Sequence, residues 1–312
     1  MSFSVFRTDE AWWVLAPAGA RRIDTSATTT AELIADRSAV ARAASGDGPT
    51  TDPSELDLLS PVTAPCRVIA QMTNYESHVR DSGMDPDRVP LTFFRKSSGS
   101  ITGPTADIVK PSHVSLLDYE VEIGVVFGRT LPVGSTVDND SLAELVAGLV
   151  VTNDVSARDV QLPKTQFYEA KSYPTFTPVG PVLLLLEPGE WAKFSTLTLQ
   201  LRVNGVTRQN SSVADMIYSP LEAVRTLTRF QRVDAGDLLL TGTPGGTALT
   251  APPKPIEMIG ALLPPHVKWK AFFRRQGSNP KYLTDGDIVE ASIRSGDGTL
   301  DLGTQRSVVR EA

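Results

Sequence analysis

The stretch Asp118-Tyr119-Glu120-Val121-Glu122-Ile123-Gly124-Val125-Val126-Phe127 alternates acidic and apolar residues, then turns wholly apolar. A period of two predicts a β-strand, in which successive side chains point to opposite faces. Asp118, Glu120 and Glu122 then share one face, while Val121 and Ile123 share the other. Two carboxylates on one face of an apolar strand repel each other and are costly to desolvate. A divalent cation between them removes both problems. A second apolar run, Leu149-Val150-Val151-Thr152-Asn153-Asp154, ends on another carboxylate. Three such oxygen donors suit Mg2+ or Mn2+ and could take Ca2+. Alone, Glu-Val-Glu reads better as the wet face of an edge strand, and the residues after Asp154 shift the reading toward the metal site.

Composition points the same way. The 312 residues carry 30 Lys+Arg against 36 Asp+Glu, a net charge of -6. An acidic chain does not suit phosphate neutralisation, so no nucleic-acid partner is expected. No apolar run approaches 18 residues, so no membrane span is expected. Residues 1–22 lack the basic-then-apolar pattern of a secretory signal, and a cytoplasmic location is expected. One cysteine, Cys66, and three histidines, His78, His113 and His266, leave little for a soft-ligand metal site. Cys66 reads as an inert buried thiol, and His113 and His266 as ordinary residues. A metal here should therefore be a hard ion held by carboxylates.

Working outward, short β-rich runs dominate: 67–72, 119–127, 149–153, 182–186, 197–203, 238–240 and 288–293. Asn204-Gly205 is a two-residue hairpin signal. Helices are fewer, predicted over 30–44, 141–147 and from Ser219 to about Phe230. The last opens on Ser219-Pro220-Leu221-Glu222, a capping box with proline at the first helical position. Strands and helices do not alternate regularly, which argues against a doubly wound or barrel α/β fold. The turn-rich stretch 45–53 reads as a linker, with a boundary between about Asp52 and Pro65.

The run Asn153-Asp154-Val155-Ser156-Ala157-Arg158-Asp159 resembles the NDVSARD signature of the fumarylacetoacetate hydrolase family, and Asp118–Glu122 resembles its DYEVEL segment. Asn74-Tyr75-Glu76-Ser77-His78, Phe94-Arg95-Lys96, Thr102-Gly103-Pro104, the 171–181 run and Thr241-Gly242-Thr243-Pro244-Gly245-Gly246 follow in family order. The resemblance implies a mixed α+β, mostly β fold: a β-sandwich roll over 65–312, preceded by a small N-terminal domain over 1–64, and a homodimer. It implies metal ligands at Glu120, Glu122 and Asp154, and a catalytic histidine at His78. It also implies 2-oxoacid contacts from Lys171, Arg158, Gln161 and Thr243, with Lys96 as a further basic residue near the site. Two positions depart from the family pattern. Asp81 stands where many members place a glutamate that pairs with the histidine; i to i+3 spacing still puts the two on one helical face. Ser97 replaces the proline after the basic residue.

Between Gly246 and Asp285 lie about forty residues where the family has a short stretch. Within this insertion, at about 251–280, the part 256–275 is apolar and then basic and aromatic. The net charge and Pro264-Pro265 argue against a membrane or nucleic-acid role. A surface helix packed on the body or on the dimer partner is the plainer reading. A lid or pocket wall is the sharper one, because the insertion starts beside Thr243.

The expected reaction is metal-dependent C–C hydrolysis of a 2,4-dioxoacid. His78, held by Asp81, would be the general base on water, and Lys171 would offset the anionic charge. Decarboxylation of 2-oxoacids and hydration or isomerisation of 2-oxo-alkenoates use the same metal-enolate chemistry and stand as alternatives. A non-catalytic, metal-stabilised ligand-binding protein is the reading from another class.

Overall fold

The computed structural model describes residues 2–251 and 264–312. The strand quoted first lies near the middle of a ten-stranded sheet. Val121–Phe127 pairs antiparallel with Val146–Asn153 on one side and with Leu238–Leu240 on the other. Beyond Leu238–Leu240 come Val68–Met72, paired in parallel, and Thr92–Lys96 at the edge. Beyond Val146–Asn153 come Thr177–Leu185, Phe3–Arg7, Trp12–Ala16 and Gly19–Arg22. A second, five-stranded sheet runs in the order Val206–Ser212, Leu197–Val203, Ile288–Ser295, Asp301–Glu311, Ile108–Lys110. This is the mixed α+β, mostly β architecture that the sequence implies.

The alternation read from the sequence sorts the two cores. Ile123, Val125 and Phe127 join Leu199, Leu201, Ile293 and Leu302 of the second sheet in one apolar cluster. Val126, on the opposite face, joins Val150, Leu183 and Leu238 in another, capped by Leu33 and Val40 from the helical region near the N-terminus. Glu120 and Glu122 belong to the Val126 face. Gly124 lies between them and Val126, and only glycine fits there: a Cβ would sit 2.6 Å from Val150 Cγ1 and 2.8 Å from Thr152 Cγ2. The sheet is thus closed tightly beneath the carboxylates.

Several boundaries shift for local reasons. The stretch expected as one helix over 30–44 is two, Thr30–Ala35 and Arg37–Ser45, broken at Asp36 (ψ 43°), whose carboxylate accepts from Thr25 Oγ1 at 2.7 Å. The helix expected over 141–147 runs Asn139–Leu145 under an Asp138–Ser141 capping box, and Val146 instead begins a strand opposite Phe127. Ser219 caps Pro220–Leu227 through the expected box, but the helix ends before Phe230. Asn204 and Gly205 both take positive φ, 52° and 76°, as a type I′ hairpin turn needs. The 1–64 region contributes three strands to the main sheet, and Phe3–Arg7 pairs directly with Thr177–Leu185. No helix among the described residues is long and apolar enough to cross a membrane.

Candidate active site

The strand ends bring the carboxylates together. Oxygens of Glu120, Glu122 and Asp154 lie within 4.8 Å of one another, and all three residues are buried. Backbone pairing fixes them: Asp154 N–H donates to Glu120 O at 2.8 Å, and Glu120 N–H donates to Asn153 Oδ1 at 2.9 Å. Three cations surround the cluster. Lys171 Nζ donates to Glu120 Oε2 at 2.7 Å and to Asp154 Oδ2 at 2.6 Å. Lys96 Nζ bonds the other oxygen of Asp154 and donates to Phe176 O at 2.8 Å. Arg158 bonds Glu120, and its Nε donates to Asp118 Oδ2 at 2.8 Å.

Glu122 is the exception. It forms no ion pair among the described residues, and its carboxylate accepts from Gly242 N–H at 2.7 Å. That N–H is presented by a backbone with φ +82°, where a Cβ would sit 2.7 Å from Asn74 Cβ, so the position requires glycine. Burial, then the charges of Asp154 and Glu120, push the Glu122 carboxyl well above the usual carboxylate range. Burial acts the same way on Glu120, but Arg158 and Lys171 outweigh it and hold that group below the range. The donor set therefore fits a divalent cation: three buried oxygens converge, and one of the three lacks a counter-charge.

These groups border a cavity of about 920 Å³. His78, Glu120, Glu122, Arg158, Gln161, Lys171 and Thr243 all line it. Asp154 and Lys96 lie behind this surface, and Asp81 does not reach it. His78 is buried on the short helix Glu76–Asp81, and its Nδ1 has no hydrogen-bond partner. Burial is the main force depressing its pKa below the usual histidine value, with Glu120 opposing and Arg158 adding to it. Just before this helix Thr73, a β-branched cavity residue, takes φ 50°, a strained conformation that turns the chain out of the Val68–Met72 strand.

Three of the expected site residues make contacts that the sequence does not predict. The His78–Asp81 pair does not form: Asp81 is exposed, and its Oδ2 accepts from Gly246 N–H at 3.0 Å. Aspartate is one methylene short of the usual glutamate, and the nearby loop N–H takes its carboxylate. The Thr243 hydroxyl is engaged within the protein. It donates to Val121 O at 2.9 Å and accepts from Gln209 Nε2 at 2.8 Å. Arg158 is engaged by Asp118, Glu120 and Gln161 Oε1, the last at 2.9 Å, so it braces the carboxylates while its edge lines the cavity.

Two organising residues have no clear signature in the sequence. Asp118 is fully buried and also accepts from the N–H groups of Ala248 and Leu249 at 2.8 and 3.1 Å, tying the loop after Thr243 to Arg158. Alternation places it on the acidic face but does not reveal this role. Gln209 holds both Val121 N–H and Thr243 from a strand whose pattern gives no hint of it. Cys66 is half-buried, and burial followed by Asp237 pushes its thiol up to about 12, so it is no nucleophile near neutral pH. His113 is exposed and bonds Tyr173 Oη at 2.9 Å. Of the insertion, 252–263 lies outside the described residues. The remainder forms the helix Pro265–Gln276, which lines the cavity through Lys268, Trp269, Ala271, Phe272 and Arg275.

Residues 67–310 match the family profile described as fumarylacetoacetate (FAA) hydrolase C-terminal. Oxaloacetate tautomerase YisK of Bacillus subtilis is 37% identical over 250 residues, covering 77% of this chain and 70% of the relative. The 2,4-didehydro-3-deoxy-L-rhamnonate hydrolase of a Sphingomonas species is 32% identical over 80% of this chain and 75% of its own. The crystal structure of a probable 2-hydroxyhepta-2,4-diene-1,7-dioate isomerase from Mycobacterium abscessus superposes with a TM-score of 0.76 at 29% identity, covering 100% of this chain and 99% of that one. The chain belongs to the fumarylacetoacetate hydrolase family.

Proposed function

We propose that this site binds a 2-oxoacid beside a divalent cation, Mg2+ or Mn2+, and moves a proton at the carbon next to the 2-oxo group. The reading is that of a keto–enol tautomerase or double-bond isomerase. The observation that carries it is His78: a buried imidazole that lines the cavity and has no acid partner among the described residues. Proton abstraction beside a carbonyl needs one base of matched pKa, and such a histidine supplies it. Glu120, Glu122 and Asp154 would hold the cation. When bound, it supplies Lewis-acid stabilisation of the negative charge that develops on the 2-oxo oxygen. Lys171 offsets the charge of the substrate carboxylate, and Gln161, whose amide oxygen is held by Arg158, presents its NH2 group to the same end. The Thr243 loop shapes the wall through its backbone. His78 takes the proton from carbon and returns it at the other end of the enol.

C–C hydrolysis of a 2,4-dioxoacid, the expectation from the sequence, is the second reading. The similarity to a hydrolase of a 2,4-didehydro sugar acid favours it, and His78 would then act on water. Supplying oxaloacetate enol and acetylpyruvate in parallel, with Mg2+, separates the two. Accelerated enol decay that His78→Gln abolishes supports proton transfer. Release of acetate and pyruvate from acetylpyruvate, with no effect on the enol, moves the assignment to hydrolysis.

A further inference from the structure

The cavity is too large and too aromatic for a 2-oxoacid head group alone. About 920 Å³ lies at the upper end of pockets that enclose drug-sized ligands. Its charged end, around Glu120, Glu122 and Lys171, takes up one side. The same cavity is lined by Phe94 and Phe167, edge to face with ring centres 5.2 Å apart, and by Trp269 and Phe272 from the Pro265–Gln276 helix. Phe94 joins the two regions, because the Lys171 ammonium lies 5.1 Å from its ring centre.

The helix is built to hold that wall. Lys268, Phe272 and Arg275 recur at i, i+4 and i+7, one helical face, and all line the cavity together with Trp269. The neighbouring face turns inward: Phe273 packs on the main apolar core, and Gln276 is buried. Gln276 accepts from Tyr282 Oη at 3.1 Å and donates to Thr250 O at 3.2 Å, and Asn279 Nδ2 donates to Ala248 O at 2.8 Å. Ala248 is the residue whose N–H is held by Asp118. The helix is thus braced through one loop to the buried carboxylate that fixes Arg158.

We propose that Trp269 and Phe272 are specificity-determining residues, and that the substrate carries a flat apolar aromatic arm beyond its 2-oxoacid head. The arm lies between these two rings and the Phe94–Phe167 pair. This rests on the 2-oxoacid reading and extends it to the substrate class. Aromatic rings pay little entropy to stay ordered and contact flat ligands over a large area, so the selection acts on binding rather than on the proton-transfer step.

Calorimetric titration with oxalate, oxamate and N-benzyloxamate, each with Mg2+, tests it. The wild-type protein should bind N-benzyloxamate at least about tenfold more tightly than oxamate, a difference of about 1.4 kcal/mol. Trp269→Ala and Phe272→Ala should each erase most of that gain and leave the Kd of oxalate unchanged. Phe272→Leu, which keeps an apolar side chain in the helix, should erase part of it. A benzyl group that adds nothing in the wild type overturns the proposal, as does a gain that survives both alanine substitutions. In either case unchanged oxalate binding leaves the head-group reading intact. Failure of oxalate and oxamate to bind at all overturns that reading, and the arm proposal with it.

Discussion

The floor of the cavity and its roof are built on opposite terms. On the floor, Lys96, at the end of the edge strand Thr92–Lys96, and Lys171 and Arg158, on short helices, each hold a carboxylate of Asp118, Glu120 or Asp154. The roof is the six-residue helix Glu76–Asp81, packed through the buried Val79 and tied by polar contacts on either side of His78. Ser77 bonds Asp215 and accepts from Gly245 N–H at 2.9 Å, and Asp81 accepts from Gly246 N–H. His78, between these ties, has no polar side-chain partner among the described residues. For these ion-paired residues of the floor, then, stability and function cannot be separated, because each charge is held by another; Glu122, which has no ion pair among the described residues, is the exception. On the roof they can.

The sharpest break of the floor is Asp154→Ala, which leaves the ammonium groups of Lys96 and Lys171 short of a carboxylate in a site with almost no solvent exposure. Removing one member of a buried ion pair typically costs about 3–5 kcal/mol. Chemical denaturation should show a loss of that order, with activity gone. Glu122→Gln should behave differently although it stands beside Asp154. Glu122 has no ion pair, so the amide keeps the Gly242 N–H bond and the metal-free protein should hold or gain stability. Mg2+-dependent activity should nevertheless disappear. Equal destabilisation by both substitutions would remove the distinction between the paired and unpaired carboxylates.

A smaller effect follows from the raised Glu122 pKa. The folded, metal-free protein holds this proton more tightly than the unfolded chain, whose glutamate titrates near 4.5. The group's contribution to stability is therefore present below that value. It declines as pH rises from about 4.5 to the raised one. Thermal melts of metal-free wild type should lose ground to Glu122→Gln across this window. Saturating Mg2+ should cancel the loss in the wild type, and loading should release protons. A pH-independent difference between the two melts would count against a protonated Glu122.

The floor is also where the sequence is most legible. Alternation over residues 118–127 places Glu120 and Glu122 on one face, and the apolar run ending at Asp154 brings the third carboxylate, because strand periodicity is a local property. What pairs with them is not local. Lys96 reaches Asp154 across 58 residues and Lys171 reaches Glu120 across 51. Only the family resemblance brings those residues to the site. Gln209, a glutamine in a polar strand, has neither signal. The dyad expected of His78 and Asp81 shows the limit from the other side. Helical spacing predicts that two side chains share a face, but not which of several nearby donors the shorter one takes.

On the roof, His78→Gln should leave the denaturation midpoint nearly unchanged, since the imidazole bonds nothing. It should slow turnover on the order of a hundred- to ten-thousand-fold, the usual contribution of a general acid–base group. In the wild type, the acid limb of the rate profile should fall below the ordinary histidine value of about 6.5, because burial lowers the pKa of His78. A midpoint shift as large as that of Asp154→Ala would merge roof and floor.

The smallest effect, and the most discriminating, is expected at Asp81. Its carboxylate meets a loop N–H rather than His78, and its backbone carbonyl accepts from Ala251 N–H at 3.0 Å whatever the side chain. Asp81→Asn keeps an oxygen acceptor for Gly246 and should retain activity within a few-fold, with the same acid limb. Asp81→Ala removes the tie between the helix and the Thr243 loop. It should raise KM more than it lowers kcat, because the helix is less well placed while the imidazole stays intact. If the aspartate polarised His78 instead, Asp81→Asn would be the damaging change. The acid limb would move to lower pH and kcat would fall with KM unchanged, because the charge rather than the acceptor would matter. Asp81→Glu adds the methylene that the usual partner has. A large gain in kcat from that one substitution would show that the roof is held short of a dyad by the length of this side chain alone.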